Sequence, residues 1–330
     1  MRVKLGIDVG ENQADPREFV ECGVLAEKLG FDTYWLGDHF MPWIHTGGKS
    51  PYVWSVMAAL LERTDRIFVG PDVTTPIGAR YHPVIIAQAA ATLDNMYPGR
   101  FLLGVGSGEA MNEEPFFQET GLGWPKWKER IERLVEGVEL IRRTWSSDDY
   151  FSFEGRFFKM KNIRLYTRPR TKIPIFFSAM GPKAAAYAGR FGDALITIST
   201  PSRCKDVIFP RFEEGARMEG KNPAGMEKMA FVCFGIGEES SLIQRLKGED
   251  AAFLAEKAFE EPDPRRVEAM AATVEDSRIR ENFQLCRSVD DLVQVVENYV
   301  SVGANQVVFS TGASPELIRQ IGERVIPSFH

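Results

Sequence analysis

The chain has 330 residues, 44% of them hydrophobic and 26% charged, and carries a formal net charge of -6 with a sequence pI near 5.5. This is the composition of an ordinary globular chain, and the acidic balance argues against the basic face of a nucleic-acid binder. The most apolar helical stretch, VIIAQAAATL (84–93), is about half of what a membrane span needs. The opening MRVKLGIDVG is too short an apolar run for a signal-peptide core. The four cysteines, Cys22, Cys204, Cys233 and Cys286, are far apart and include no CxxC pair. They suggest neither a metal site nor a disulfide framework, and fit the reduced, buried thiols of a cytoplasmic protein.

In chain order the sequence alternates between two periods. Val3–Asp8 reads as a strand. A helix begins at Pro16, with Asp15 as N-cap and Glu18 placed for a capping box, and Gly30 closes it. A strand over 32–38, a helix over 53–64 and a strand over 66–73 follow, then a helix from Pro83 to Tyr97 and a strand over 100–106. The long stretch 125–145 keeps Ile131, Leu134, Val135, Val138 and Ile141 on one helical stripe. Further strands are expected over 174–179, 193–199, 229–237 and 306–310. Eight short apolar strands alternating with helices mean βαβ units, and eight in one chain favour a closed (β/α)8 barrel over an open sheet. Excursions are expected at about 111–125, 146–170 and 237–282 of a single barrel domain. The second contains a hairpin (Phe151–Pro169) turning at Glu154-Gly155, and the third (Gly237–Asn282) is helical in pattern.

In such a barrel, chemistry sits in the loops at the strand C-termini. The loop after the second strand, LGDHFMPWIHTGG (36–48), holds two of the chain's four histidines, His39 and His45, with Asp38 and Trp43. The loop after the fourth places Glu109 across the same mouth. Histidine is the side chain poised to move protons near neutral pH. GVGSGEA (104–110) resembles a dinucleotide fingerprint, but the glycine that a GxGxxG motif needs at 109 is Glu109, and MNEEPFFQETGLGW stands where a capped helix would begin. A Rossmann-type NAD site is therefore rejected, and the glycines are read as allowing close approach to a flat ligand. Gly181, Pro182 and Lys183 mark a helix N-terminus suited to a phosphate. An ordinary capped helix with a surface lysine is the alternative.

DHFMPWIHTGG, RYHPVIIAQAAATLDNMYPGR, GVGSGEAMNE, MGPKAAAYAGRFGDALITIS and the closing VVFS…IPSF together resemble the coenzyme F420-dependent branch of the luciferase-like superfamily. The likeness lies closest to its secondary alcohol dehydrogenases and the related glucose-6-phosphate dehydrogenases, and it covers nearly the whole chain. It implies a (β/α)8 barrel, a homodimer, coenzyme F420 at the strand C-termini and a non-prolyl cis peptide, here Asp72–Val73. It further implies His39 as the active-site histidine, Trp43 as the aromatic wall beside the substrate and Glu109 as the acid near the pyrimidine side of the ring. Asp38, Asp72, Val73, Gly106, Ser107, Gly108 and Asn112 would line the deazaflavin, with Ser178, Ala179, Met180, Gly181, Pro182 and Lys183 toward the phosphate. An alcohol between Trp43 and the ring would give hydride to C5 while His39 accepts or shares its hydroxyl proton. One departure stands out: Asn12 occupies the place of a family glutamate, with Glu11 one residue away.

The substrate class is less marked. Sugar-phosphate members use lysines and an arginine from the loop after strand six and from the late insertion. The matching positions here are Thr200 and Asn282, with Lys257, Arg278 and Arg280 nearby. The reading favours a small secondary alcohol. A sugar phosphate, a methylene-tetrahydropterin, an FMN-dependent monooxygenase and a non-catalytic coenzyme binder are the alternatives.

Overall fold

The computed structural model describes residues 2–10, 14–249 and 251–329. Its main sheet has eight parallel strands: β1 (Lys4–Asp8), β2 (Thr33–Leu36), β3 (Phe68–Pro71), β4 (Leu103–Val105), β5 (Ile175–Ser178), β6 (Ala194–Thr197), β7 (Glu227–Val232) and β8 (Gln306–Ser310). Neighbours run β3-β2-β1-β8-β7-β6-β5-β4, and the two ends meet. Leu102 N donates to Val69 O at 2.9 Å, Thr74 N to Gly104 O at 3.0 Å and Gly106 N to Thr74 O at 3.0 Å. The sheet is thus the expected (β/α)8 barrel.

Nearly every strand position is buried, as it must be when helices cover one face and the barrel interior the other. Trp35, Leu102, Phe176, Ile196, Met229, Phe231 and Val308 form a buried cluster of their own. They come from strands all round the ring. Trp35 of β2 meets Phe176 of β5, which is not its neighbour, edge-on at 5.2 Å. This plug fills the barrel and leaves its C-terminal mouth as the place for a site. The first helix, Pro16–Lys28, begins with the expected capping box, Asp15 N donating to Glu18 Oε2 at 2.6 Å. The long helix Trp127–Ser146 buries Ile131, Leu134, Val138 and Ile141, and leaves Val135 half-buried. No helix among the described residues is long and apolar enough to cross a membrane.

Three local expectations are corrected. The run 229–237 is two strands: β7 ends at Val232, and Phe234–Ile236 pairs instead with Gln284–Cys286 in a small parallel sheet. A continuous apolar run does not reveal a break between two sheets. The hairpin Phe151–Glu154/Lys159–Ile163 turns over residues 155–158, slightly later than expected. There the Glu136 carboxylate collects the N–H groups of Arg156, Phe157 and Phe158 at 2.9, 2.8 and 2.7 Å, a distant partner that decides the turn. A helix, Ala110–Glu119, also begins where none was expected. It carries Pro115 in its interior, which has no N–H for the helical ladder.

Candidate active site

The mouth opens into a cavity of about 1410 Å³. The residues expected to carry catalysis and coenzyme binding line it, from Asp38, His39 and Trp43 through Asp72 and Val73, Gly106–Glu109 and Asn112 to Ser178–Lys183. His45 does not. It is exposed, and its backbone N–H and that of Thr46 donate to Glu268 Oε2, each at 3.0 Å, tying the β2 loop to the late insertion. Glu11 and Asn12, the departure from the family pattern, lie outside the described residues.

The helix that was not expected organises one wall. Glu109 is its N-cap residue, and Asn112 and Glu113 follow at i+3 and i+4, so all three project from one face. Asn112 is the hub. Its Oδ1 accepts from Phe40 N at 2.7 Å and Met41 N at 2.9 Å, and its Nδ2 lies 2.9 Å from His39 Nδ1 and 3.0 Å from Glu109 Oε2. His39 Nδ1 and Glu109 Oε2 are 3.7 Å apart. Burial holds the His39 pKa below its ordinary value although the Glu109 carboxylate pulls it up, so the ring is neutral at pH 7.

Behind these groups lies a network that sequence reasoning missed. Arg80, on the β3 loop with a 6% exposed side chain, donates to Asp38 O at 2.6 Å and through Nε to Glu113 Oε1 at 3.1 Å. Tyr81 Oη donates to Asp38 Oδ1 at 3.0 Å. Burial opposes the Arg80 charge, but its surroundings, the Asp38 carboxylate first among them, prevail and raise its pKa. Glu113 is fully buried, and burial pushes its carboxyl up to about 8 against the pull of Arg80. Read as helical, the spacing from Glu109 to Glu113 would have exposed this group.

Two walls carry the shape of a ligand. On one, Asp72–Val73 is a cis peptide bond, as expected, and Val73 packs on Gly106, where an added Cβ would stand 2.4 Å from Val73 Cγ2. Gly106 and Gly108 thus leave no room for a side chain, and with Ser107 they present backbone to the cavity. On the other, the helix Pro182–Phe191 starts at Gly181 with no side-chain cap. Its first N–H groups and Lys183 face the cavity as an anion cradle. These features fit a long ligand with a planar head and a phosphate.

The roof comes from the late insertion. Phe259 meets Trp43 edge-on at 5.2 Å. Glu260 clamps Arg130 at 2.6 and 3.0 Å and accepts from Trp124 Nε1 at 2.7 Å. Phe253, Ile196, Ile198 and Phe231 complete an apolar lining, with Cys233 and Arg245. None of Thr200, Lys257, Arg278, Arg280 and Asn282 lines the cavity. Arg280 instead donates to Glu239 on the surface at 2.7 Å.

The family model of the luciferase-like monooxygenases matches residues 2–306. An F420-dependent glucose-6-phosphate dehydrogenase of Segniliparus rotundus is 35% identical over 320 residues, 96% of this chain and 94% of that protein. Its counterpart in Mycolicibacterium gilvum is 38% identical, over 93% of this chain and 91% of that one. The solved structure of an F420-dependent secondary alcohol dehydrogenase in complex with an F420–acetone adduct superposes with a TM-score of 0.93 at 36% identity, covering 100% of both chains. The chain belongs to the luciferase-like family, in its branch of F420-dependent dehydrogenases.

Proposed function

We propose that this protein is a coenzyme F420-dependent dehydrogenase that interconverts a small secondary alcohol and its ketone. The observation that carries the choice of substrate is the apolar lining around Trp43: Phe259, Phe253, Ile196, Ile198 and Phe231, with every cation of the sugar-phosphate hypothesis outside the cavity. Of the cations that line it, Arg80 is paired with Asp38 and Arg130 with Glu260, Lys183 belongs to the anion cradle, and Arg245 stands on the late insertion. A phosphorylated sugar would have to be desolvated against aromatic rings, whereas an aliphatic alcohol gains from the same burial.

When bound, the coenzyme supplies a deazaflavin carbon, C5, that takes or gives a hydride. Val73 and the Gly106–Ser107–Gly108 backbone would wall its ring, with Asp38, Asp72 and Asn112 around it. Ser178–Lys183 lead toward its phosphate, which the N-terminus of Pro182–Phe191 and Lys183 would hold. Trp43 presses the substrate toward the ring and, with Phe259, excludes water. His39 addresses the substrate oxygen. Glu109 holds a proton or charge on the pyrimidine side. The lever is orientation in a dry, pre-shaped pocket. A homodimer is part of the same reading, on the family resemblance alone.

The second reading, a glucose-6-phosphate dehydrogenase, has in its favour the two relatives that carry that description. Titration of the purified protein with F420 and, separately, with FMN decides the coenzyme. The loss of oxidised F420 absorbance with isopropanol or with glucose 6-phosphate decides the substrate. Turnover with isopropanol alone is expected. Turnover with the sugar phosphate alone refutes the substrate assignment, and binding of FMN without F420 refutes the coenzyme.

A further inference from the structure

Consecutive residues of the late insertion reach three different walls of the pocket. Ala258–Glu260 form one turn of 3-10 helix, in which successive side chains point about 120° apart. Ala258 is buried in a cluster with Ile44 and Met111. Phe259 meets Trp43 edge-on at 5.2 Å. Glu260 reaches the opposite side: Arg130 Nη2 donates to its Oε1 at 2.6 Å, and Arg130 Nη1 and Trp124 Nε1 donate to its Oε2 at 3.0 and 2.7 Å. A rotation of the turn that moves Glu260 moves Phe259 with it.

The two ends of this clamp are not equally fixed. Arg130 stands in the first turn of the helix Trp127–Ser146 with a 3% exposed side chain. Its guanidinium lies 4.4 Å over the Trp124 ring, and Nη1 also donates to Pro125 O at 2.8 Å. Glu260 belongs to a single short turn, entered through Lys257 at φ +64°, a left-handed conformation that a side chain with a Cβ adopts at a cost. Ala258 holds that turn by a methyl group alone, and apolar contact is non-directional, whereas a bidentate guanidinium–carboxylate pair fixes orientation. The Glu260 side chain is 45% exposed, and an ordinary surface pair would hold little. Here the cation is buried and the Trp124 N–H shares the same carboxylate.

We propose that Glu260 is a specificity-determining positioning residue: held by Arg130 and Trp124, it sets the turn so that Phe259 closes against Trp43 and limits the pocket to short secondary alcohols. The alcohol rests on the function proposed above; the placing of Phe259 by Glu260 does not. Once the clamp is cut, Phe259 leaves Trp43 and the roof admits a longer chain beside the apolar lining of Ile196, Ile198 and Phe231. Glu260 acts through Phe259 and takes no part in hydride or proton transfer.

Glu260→Ala cuts the clamp at its less fixed end. Glu260→Ala/Arg130→Met cuts it without leaving a buried cation unpaired, and takes the place of the single variant in every measurement if that variant does not fold. The first readout needs neither coenzyme nor substrate. The full-length protein is labelled with 5-fluorotryptophan, and Trp43→Phe assigns the Trp43 resonance among the six tryptophans. Phe259→Leu gives the Trp43 shift without the facing ring. In Glu260→Ala the Trp43 resonance is expected to move at least halfway to its position in Phe259→Leu. A Trp43 resonance that stays where the unsubstituted protein has it overturns the proposal. The second readout is kcat and KM with F420 for isopropanol, 2-butanol, 2-pentanol and 2-heptanol. In Glu260→Ala, kcat/KM for 2-heptanol relative to isopropanol should rise at least tenfold, the scale of a methylene in an apolar pocket. KM for isopropanol should rise by a larger factor than kcat falls. An unchanged ratio overturns the specificity role. If the unsubstituted protein turns over none of these alcohols, the substrate assignment and the alcohol specificity fall together, and the fluorine spectrum still decides whether Glu260 places Phe259.

Discussion

Glu113 offers a direct test of which force governs the buried network behind the site. Its carboxyl is fully buried, with one oxygen on Arg80 Nε at 3.1 Å and the other without a hydrogen-bond partner among the described residues. Burial raises its pKa from 4.5 to about 8, Arg80 opposing. A pKa higher in the folded than in the unfolded chain means that the folded state binds the extra proton between those values. The stabilisation is complete below pH 4.5 and is lost as pH rises toward 8. Each tenfold difference in proton affinity is worth ~1.4 kcal/mol, so the loss between pH 5 and pH 8 comes to about 3–4 kcal/mol. With an unfolding entropy of ~2.1 cal/mol/K per residue, this is about 5 °C in Tm for a 330-residue chain. Glu113→Gln keeps the shape and the acceptor for Arg80 and removes the titration. The stability of Glu113→Gln relative to the unsubstituted protein should therefore climb by about 3–4 kcal/mol from pH 5 to pH 8, read by urea unfolding at several pH values. A difference that stays flat with pH would refute the reasoning, because it would mean that Arg80 keeps Glu113 ionised throughout and that pairing outweighs burial.

Gly106→Ala puts a methyl 2.4 Å from Val73 Cγ2. A cost of about 1–3 kcal/mol in stability is expected for such overpacking, with at least tenfold weaker F420 binding in a fluorescence titration; unchanged coenzyme affinity would remove Gly106 from the ring wall. Glu136→Ala strips three N–H groups of the hairpin turn of their acceptor. It should destabilise by about 2–3 kcal/mol, given the strength of charge-assisted bonds, and speed amide exchange at Arg156–Phe158. Exchange there that stays as slow as in the unsubstituted protein would show that the turn holds without Glu136.

The barrel was legible in the sequence because it depends on local periodicity: eight short apolar runs, helices between them, and turn chemistry such as the Asp15–Glu18 capping box. The β2 and β4 loops were legible for a related reason. His39, Trp43 and Glu109 lie in stretches whose residue types are out of keeping with their surroundings, and strand polarity alone brings both loops to one mouth. What the sequence could not supply were the partnerships made across the barrel. Arg80 became a member of the site only when closure between β3 and β4 set it between Asp38 and Glu113. The helix at Ala110 formed in spite of Pro115. His45, as conspicuous in the sequence as His39, was turned outward by backbone bonds to Glu268, 223 positions away. The break after Val232 and the shifted hairpin turn likewise follow from distant acceptors and a second small sheet. Periodicity, turns and caps are fixed by neighbours along the chain. Which polar groups meet and which charges share a dry space are fixed by neighbours in space, and only the folded chain supplies those.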